Sequence, residues 1–317
     1  MPAIFLDTNA LSQGHHVLTS SQDALVRLAQ HLDLVVLISE VTANESAAKR
    51  LRDTGDAITA VSRALNRATK AIDLEPLYLP DPADLAHQWR RDLASVYTIA
   101  ALHGDDAVEA LEREAGRSKP AKGNGTGARD CAIWLTVKRH HIDQGGPTYF
   151  VSDNIKDFAD KNDNLHPELV AELGELAPDL HYVRNVAGLL ANLAEKRPLG
   201  LQIDRFDRSV LDSLGEQIAV SFADTADVLT PDIMLAATIV LESAKEVEGY
   251  VIEGTGLALV ELVVRAELAV PVSLGESAQA HSARFTTRAW LEVDLERGLP
   301  TSIDVDRVTF HTAESSG

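Results

Sequence analysis

The chain has 317 residues, 45% of them hydrophobic and 24% charged, and a formal net charge of −19; that is enough apolar material for a substantial core, and the length favours two unequal domains over one. Aromatics supply only 5%, so the core is aliphatic, and the single cysteine, Cys131, excludes an internal disulfide framework and a cysteine-based zinc site. No long uncharged apolar run occurs, and the opening MPAIFLDTNAL places Asp7 where the apolar part of a secretory leader would continue, so the expected protein is cytoplasmic, with no membrane association.

Ala3-Ile4-Phe5-Leu6 reads as a buried strand that ends in the polar turn Asp7-Thr8-Asn9, which sets Asp7 at the strand's C-terminal end. From Ser21 to about His31 the apolar residues Ala24, Leu25, Leu28 and Leu32 follow helical spacing, and Leu34 to Ile38 forms a second buried strand. Ser39 or Thr42 caps the next helix, an alanine-rich run that carries Glu45 and continues towards Ala71, with a break expected near Asp53-Thr54-Gly55. Pro76, Pro80 and Pro82 interrupt the chain; residues 84–115 read as one or two helices, and Gly116 to Gly127 as a polar loop.

A further helix starts near Ala128-Arg129-Asp130 and runs through Trp134 to about His140, with Asp130 in its first turn, where a carboxylate suits the helix dipole. Thr148 to Val151 is a third buried strand followed by the loop Ser152-Asp153-Asn154, and Leu180 to Val183 a short fourth. Alternating strands and helices imply an α/β domain with a mostly parallel sheet covered on both faces. Beyond Arg197-Pro198-Leu199-Gly200 the texture changes. Helical patterns near 206–221 and 230–246 precede alternating segments at 248–272, 283–295 and 302–312, an α+β module with an antiparallel sheet. The expected division is therefore 1–196 and 197–317.

Four acids occupy meaningful places: Asp7 and Asp153 after strands, Asp130 at a helix start, and Glu45 on the helix after the second strand. Ligand sites of open parallel sheets form at the carboxyl ends of strands. Carboxylates gathered there repel unless a cation neutralises them, and an oxygen-only set favours Mg²⁺ or Mn²⁺, which can activate water for phosphodiester hydrolysis. Taken singly, each acid has an ordinary reading as a turn, a cap or a solvated helix residue; the ordered set carries the argument.

FLDTNAL at 5–11, SEVTANE at 39–45, RDCAIW at 129–134 and VSDNIKDF at 151–158 resemble the successive acidic motifs of PIN-domain nucleases, in the family's order. The resemblance covers about 1–195 and implies a PIN-like α/β/α sandwich. It implies Asp7, Glu45, Asp130 and Asp153 as metal-binding and catalytic acids, with Asp157 as a further candidate. Thr8 or Asn9 would orient Asp7, and Asn154 would support the site. It also implies single-stranded RNA as substrate, cut by metal-activated water, in a toxin or an RNA-processing enzyme. The long insertion between Glu45 and Asp130 and the C-terminal extension depart from the small toxin pattern. The competing readings are a structure-specific DNA nuclease and a regulatory binding protein that retains the metal pocket.

Charge distribution agrees with nucleic acid on the first domain. Residues 1–196 carry 20 Lys and Arg against 28 Asp and Glu, whereas 197–317 carry 9 against 20; the acidic second module fits a protein partner or self-association better than RNA. Between 113 and 139 lies a basic island of Arg113, Arg117, Lys119, Lys122, Arg129, Lys138 and Arg139 against Glu114 and Asp130. Arg113, Lys119, Lys122 and Arg129 are the candidate phosphate contacts, with a solubilising loop as the plainer alternative. The pairs His15-His16 and His140-His141 read as surface residues, and Cys131 and Trp134 as core.

Overall fold

A computed structural model describes residues 2–12, 17–70, 77–201, 238–274, 277–297, 299–305 and 309–310. The chain forms two compact units, Met1–Val17 with Leu32–Leu189 and Leu18–His31 with Leu190–Gly317.

The first unit is built on five parallel strands in the order β3-β2-β1-β4-β5: β1 (Ala3–Leu6), β2 (Val35–Ser39), β3 (Thr98–Ala100), β4 (Thr148–Val151) and β5 (Leu180–Val183). All four residues of β1 are buried, as a central strand covered on both faces requires. Leu6 lies opposite Ile38 on one side and Val151 on the other, so Asp7, Ser39 and Ser152 emerge together at one edge of the sheet. The stretch 84–115 proves to hold α3 (Pro82–Val96), then β3, then α4 (Gly104–Gly116). Three residues are too few for an alternating pattern to show.

Ser39 caps α2 (Glu40–Ala68), accepting a hydrogen bond from the Thr42 amide at 2.9 Å. The expected break at Asp53-Thr54-Gly55 does not occur: α2 runs unbroken for 29 residues with Gly55 in its interior. A glycine there costs about 1 kcal/mol relative to alanine, too little to end a helix that packs along α3. That packing includes Trp89, whose indole Nε1 donates to Ser46 Oγ at 2.9 Å, and Arg50, whose guanidinium lies 5.0 Å over the Trp89 ring. α5 (Ala128–Gln144) is buried from Cys131 through Val137, which explains its weak amphipathic pattern. Cys131 and Trp134 are fully enclosed, in a core with Phe5, Leu37, Phe150, Phe158 and Leu169. His141 is also buried, its ring bound to Thr148 Oγ1 and the Leu176 carbonyl; His15 and His16 lie outside the described residues.

The second unit is an antiparallel sheet with a helix. β6 (Glu195–Lys196), β7 (Thr238–Ile252), β8 (Leu257–Leu274), β9 (Ser277–Asp294) and β10 (Leu299–Val305) follow one another across it, and β11 (Thr309–Phe310) pairs with β9. α1 (Ser20–His31) packs against β9 and β10 with Ala24, Leu25, Leu28 and Ala29 buried. The helical reading of 230–246 is corrected over 238–246, which is strand; 206–221 and 230–237 lie outside the described residues. Thr238 to Ile252 is zipped to β8 along nearly its whole length, and such cross-strand pairing overrides a local helical preference. The segment read as one alternating run at 248–272 contains a turn, in which Gly254 and Gly256 take positive φ of 77° and 70°.

Candidate functional site

Asp7 leaves β1 into a short 3-10 turn, Thr8–Ala10, which it caps. Its carboxylate is 3% exposed and accepts three hydrogen bonds: Thr8 N at 2.6 Å, Asn9 Nδ2 at 3.0 Å and Ser152 Oγ at 2.6 Å. Burial still pushes its pKa upward against those bonds, with Glu45 adding repulsion. Thr8 Oγ1 donates to Glu45 Oε2 at 2.8 Å, so the turn after β1 ties the first acid to the second.

Asp130, in the first turn of α5, has its carboxyl pushed up to about 6, by burial first and then by Asp157, Asp7 and Glu45, against the opposing pull of Lys122. Mutual repulsion of this kind is the electrostatic mark of carboxylates facing one space. Asn154 Nδ2 donates to Asp130 Oδ1 at 3.2 Å. Asp157, in the single-turn α6 (Ile155–Phe158), is 3% exposed, and its Oδ2 has no hydrogen-bond partner although the Lys122 ammonium stands 3.3 Å away.

Asp7, Glu45, Asp130 and Asp157 therefore face one another through their fields, and Asp153 does not join them. Its side chain is 60% exposed and pairs with Arg184 at 3.1 Å. In the loop that joins β4 to α6, Ser152 turns inward to Asp7 and Asn154 towards Asp130, while the Asp153 side chain between them points out to Arg184. Only the Asp153 backbone serves the site, its N–H donating to Asn9 Oδ1 at 3.0 Å. Ser152 is the residue that sequence reasoning missed. It is fully buried and also accepts from the Asn154 amide at 3.1 Å, and its signal was its place in VSDNIKDF, one step before the acid that drew attention.

Cations stand among the acids. Arg129 is bonded to Glu45, and Lys122 stands 3.7 Å from Asp130 as well as beside Asp157. Among the described residues, no three Asp, Glu, His or Cys side chains are grouped so as to hold a metal ion. The donor chemistry nonetheless fits a hard divalent cation: oxygen ligands only, a buried Asp157 oxygen whose neighbouring countercharge is the Lys122 ammonium, and an Asp130 carboxyl whose ionisation burial and neighbouring acids oppose.

The Gly116–Gly127 loop is built, with Lys122 N bonded to the Thr126 carbonyl at 2.7 Å and Ala121 buried. Gly127 precedes α5 at φ 121°, and a Cβ there would lie 3.2 Å from Ala121 Cα. A cavity of about 260 Å³ beside Asp130 is lined by Glu114, Lys122, Thr126, Gly127, Ala128 and Arg129. Arg113 is corrected as a phosphate contact: its guanidinium is bound to Glu109 and Glu172 and to the Lys119 carbonyl, so its donors are spent within the protein. Lys119 donates to the Lys156 carbonyl at 2.9 Å but is otherwise near the surface.

Residues 4–158 match the family model described as PIN domain. That match assigns these residues, and nothing beyond them, to the PIN domain family. The match runs from β1 through α6, so it includes all four mutually facing acids. PIN domains are usually nucleases and generally use divalent metals, so the match supports phosphodiester hydrolysis as the coarse activity of residues 4–158. Comparison with curated proteins and with solved structures finds no match. Among the described residues no helix is long and apolar enough to cross a membrane.

Proposed function

We propose that the protein is a Mg²⁺- or Mn²⁺-dependent endoribonuclease acting on single-stranded RNA, with its nuclease domain within residues 1–196. The observation that carries this reading is the rise of Asp130 through burial and the proximity of Asp157, Asp7 and Glu45 at the carboxyl edge of the parallel sheet. Asp7, Glu45, Asp130 and Asp157 would hold the metal, which when bound supplies a Lewis acid and a means of activating water. Ser152, Asn9 and Thr8 fix the Asp7 carboxylate by hydrogen bonds, and Asn154 holds Asp130. Lys122 and Arg129, now paired with these acids, are the cations placed to contact the phosphates beside the scissile bond, with Lys119 near them.

The test is incubation of the protein with single-stranded RNA, single-stranded DNA and duplex DNA, each with Mg²⁺, with Mn²⁺ and with chelator. Cleavage of the RNA that needs the metal is expected. Cleavage insensitive to chelator would overturn the metal reading; cleavage of DNA alone would replace it with a DNA nuclease, and binding without cleavage with a regulatory module.

A further inference from the structure

α2 leaves the acid site as an exposed rod. Glu45 is in its second turn, and at 1.5 Å per residue Arg67 stands about 33 Å further along the axis. With about 100° between successive residues, Glu45, Lys49, Arg52, Arg63 and Arg67 fall in one sector of roughly 60°, and Lys70 continues it past the helix end. The side engaged with α3, through Ser46 and Arg50 on Trp89, lies roughly 90–130° round the helix from this sector. Arg52, Arg63, Arg67 and Lys70 are all exposed, and among the described residues none of their side chains forms a hydrogen bond or ion pair. Two acids interrupt the run: Asp53 is paired with Lys49 at 2.6 Å, and Asp56 lies in the sector.

In a protein of net charge −19, four unpaired cations on one face are conspicuous. A helix's last turn attracts cations through its dipole, which accounts for Arg67 and Lys70 but not for Arg52 or Arg63, both outside that turn. A polyanion fits the face, and the face begins at Glu45, in the site.

We propose that this face of α2 is a track for the backbone of a single-stranded nucleic acid, holding the part of the strand that extends beyond the scissile phosphate. The proposal rests on the nuclease reading for the strand's placement at the acids, but it concerns binding at residues remote from them. The track makes affinity depend on strand length: a strand confined to the acids cannot reach Arg63, whereas a longer one gains a contact with each cation it meets.

The test is the salt dependence of binding, in chelator so that nothing is cut, of labelled oligouridylates of about 20 and about 5 nucleotides. The quadruple variant R52Q/R63Q/R67Q/K70Q is compared with wild type and with R52K/R63K/R67K. The slope of log affinity against log salt for the long strand should flatten by roughly 0.7 per lost contact, so by about 2 to 3 in the quadruple variant. The ratio of long-strand to short-strand affinity should fall with it, and the lysine variant should keep both. These residues are exposed, so helicity and Tm should match wild type. An unchanged slope overturns the track whatever the cleavage assay gives, as does an equal loss for both strands, which marks a general charge effect. Absence of cleavage by wild type beside an altered slope would instead remove the nuclease reading and leave the track standing.

Discussion

Replacing Asp130 by asparagine separates the cost of the acid site from its use. The Asp130 carboxyl titrates at about 6 instead of the ordinary 3.8, and at about 1.4 kcal/mol per pH unit its ionised form costs the fold on the order of 3 kcal/mol. Because the folded-state value is raised, the sign is the reverse of a salt-bridged acid. The penalty is absent below about pH 4, where the carboxyl is protonated in both states, grows as pH rises towards 6, and is full above it. An asparagine side chain in its place would keep an oxygen to accept from Asn154 and carry no charge, so D130N should match wild type near pH 4 and exceed it by up to about 3 kcal/mol near pH 8. The assay is urea unfolding in chelator across that range, followed by tryptophan fluorescence, since Trp89 and Trp134 are buried in the first unit. Mg²⁺ should then narrow or reverse the difference, because a ligand held by the native acids stabilises only the chain that has them. A stability difference that does not vary with pH would refute the reasoning, since it would mean that the substitution acts through packing and not through charge.

Two more substitutions probe the supports of the site. S152A removes a buried donor to Asp7 at 2.6 Å, which should cost about 1.5–3 kcal/mol. As the Ser152 bond holds the Asp7 carboxyl down, the acid limb of the activity profile should move to higher pH; a stable protein with an unmoved limb would deny Ser152 its positioning role. G127A puts a Cβ 3.2 Å from Ala121 Cα at a φ of 121° and should lower stability by about 1–3 kcal/mol in thermal unfolding, whereas a neutral result would mean that the loop before α5 yields freely.

Much of the first domain was legible because its signals are local. Four apolar residues ending in Asp7, a serine cap before Glu45 and a glycine before Asp130 each announce an element boundary. What escaped was decided at a distance. β3 exists through its pairing with β2, and β7 through its ladder to β8. α1 lies between β1 and β2 in sequence yet packs against β9 and β10, and no periodicity in α1 announces which sheet it will cover. Asp153 and Asp157 differed by something finer: both follow β4 in an acidic motif, and the course of the loop after Ser152 and the turn of α6 decide which carboxylate is buried. The basic track on α2 was hidden because its cations are spread over turns instead of adjacent, whereas the compact island at 113–139 drew notice and then proved partly structural, with Arg113 committed to Glu172 and Arg139 to Asp106.

In the proposed nuclease, metal-dependent cleavage is run by Asp7, Glu45, Asp130 and Asp157. The most direct measurement is the single-turnover rate of RNA cleavage, titrated with Mn²⁺, in D157N beside D153N. The buried Asp157 carboxylate, beside Asp130 and the Lys122 ammonium, predicts that D157N loses cleavage by at least about 100-fold and fails to recover it at saturating Mn²⁺. The exposed Asp153, paired with Arg184, predicts that D153N stays within a few-fold of wild type. The opposite result, with D153N inactive and D157N cutting normally, would contradict the assignment and return the fourth ligand to the residue the sequence first favoured.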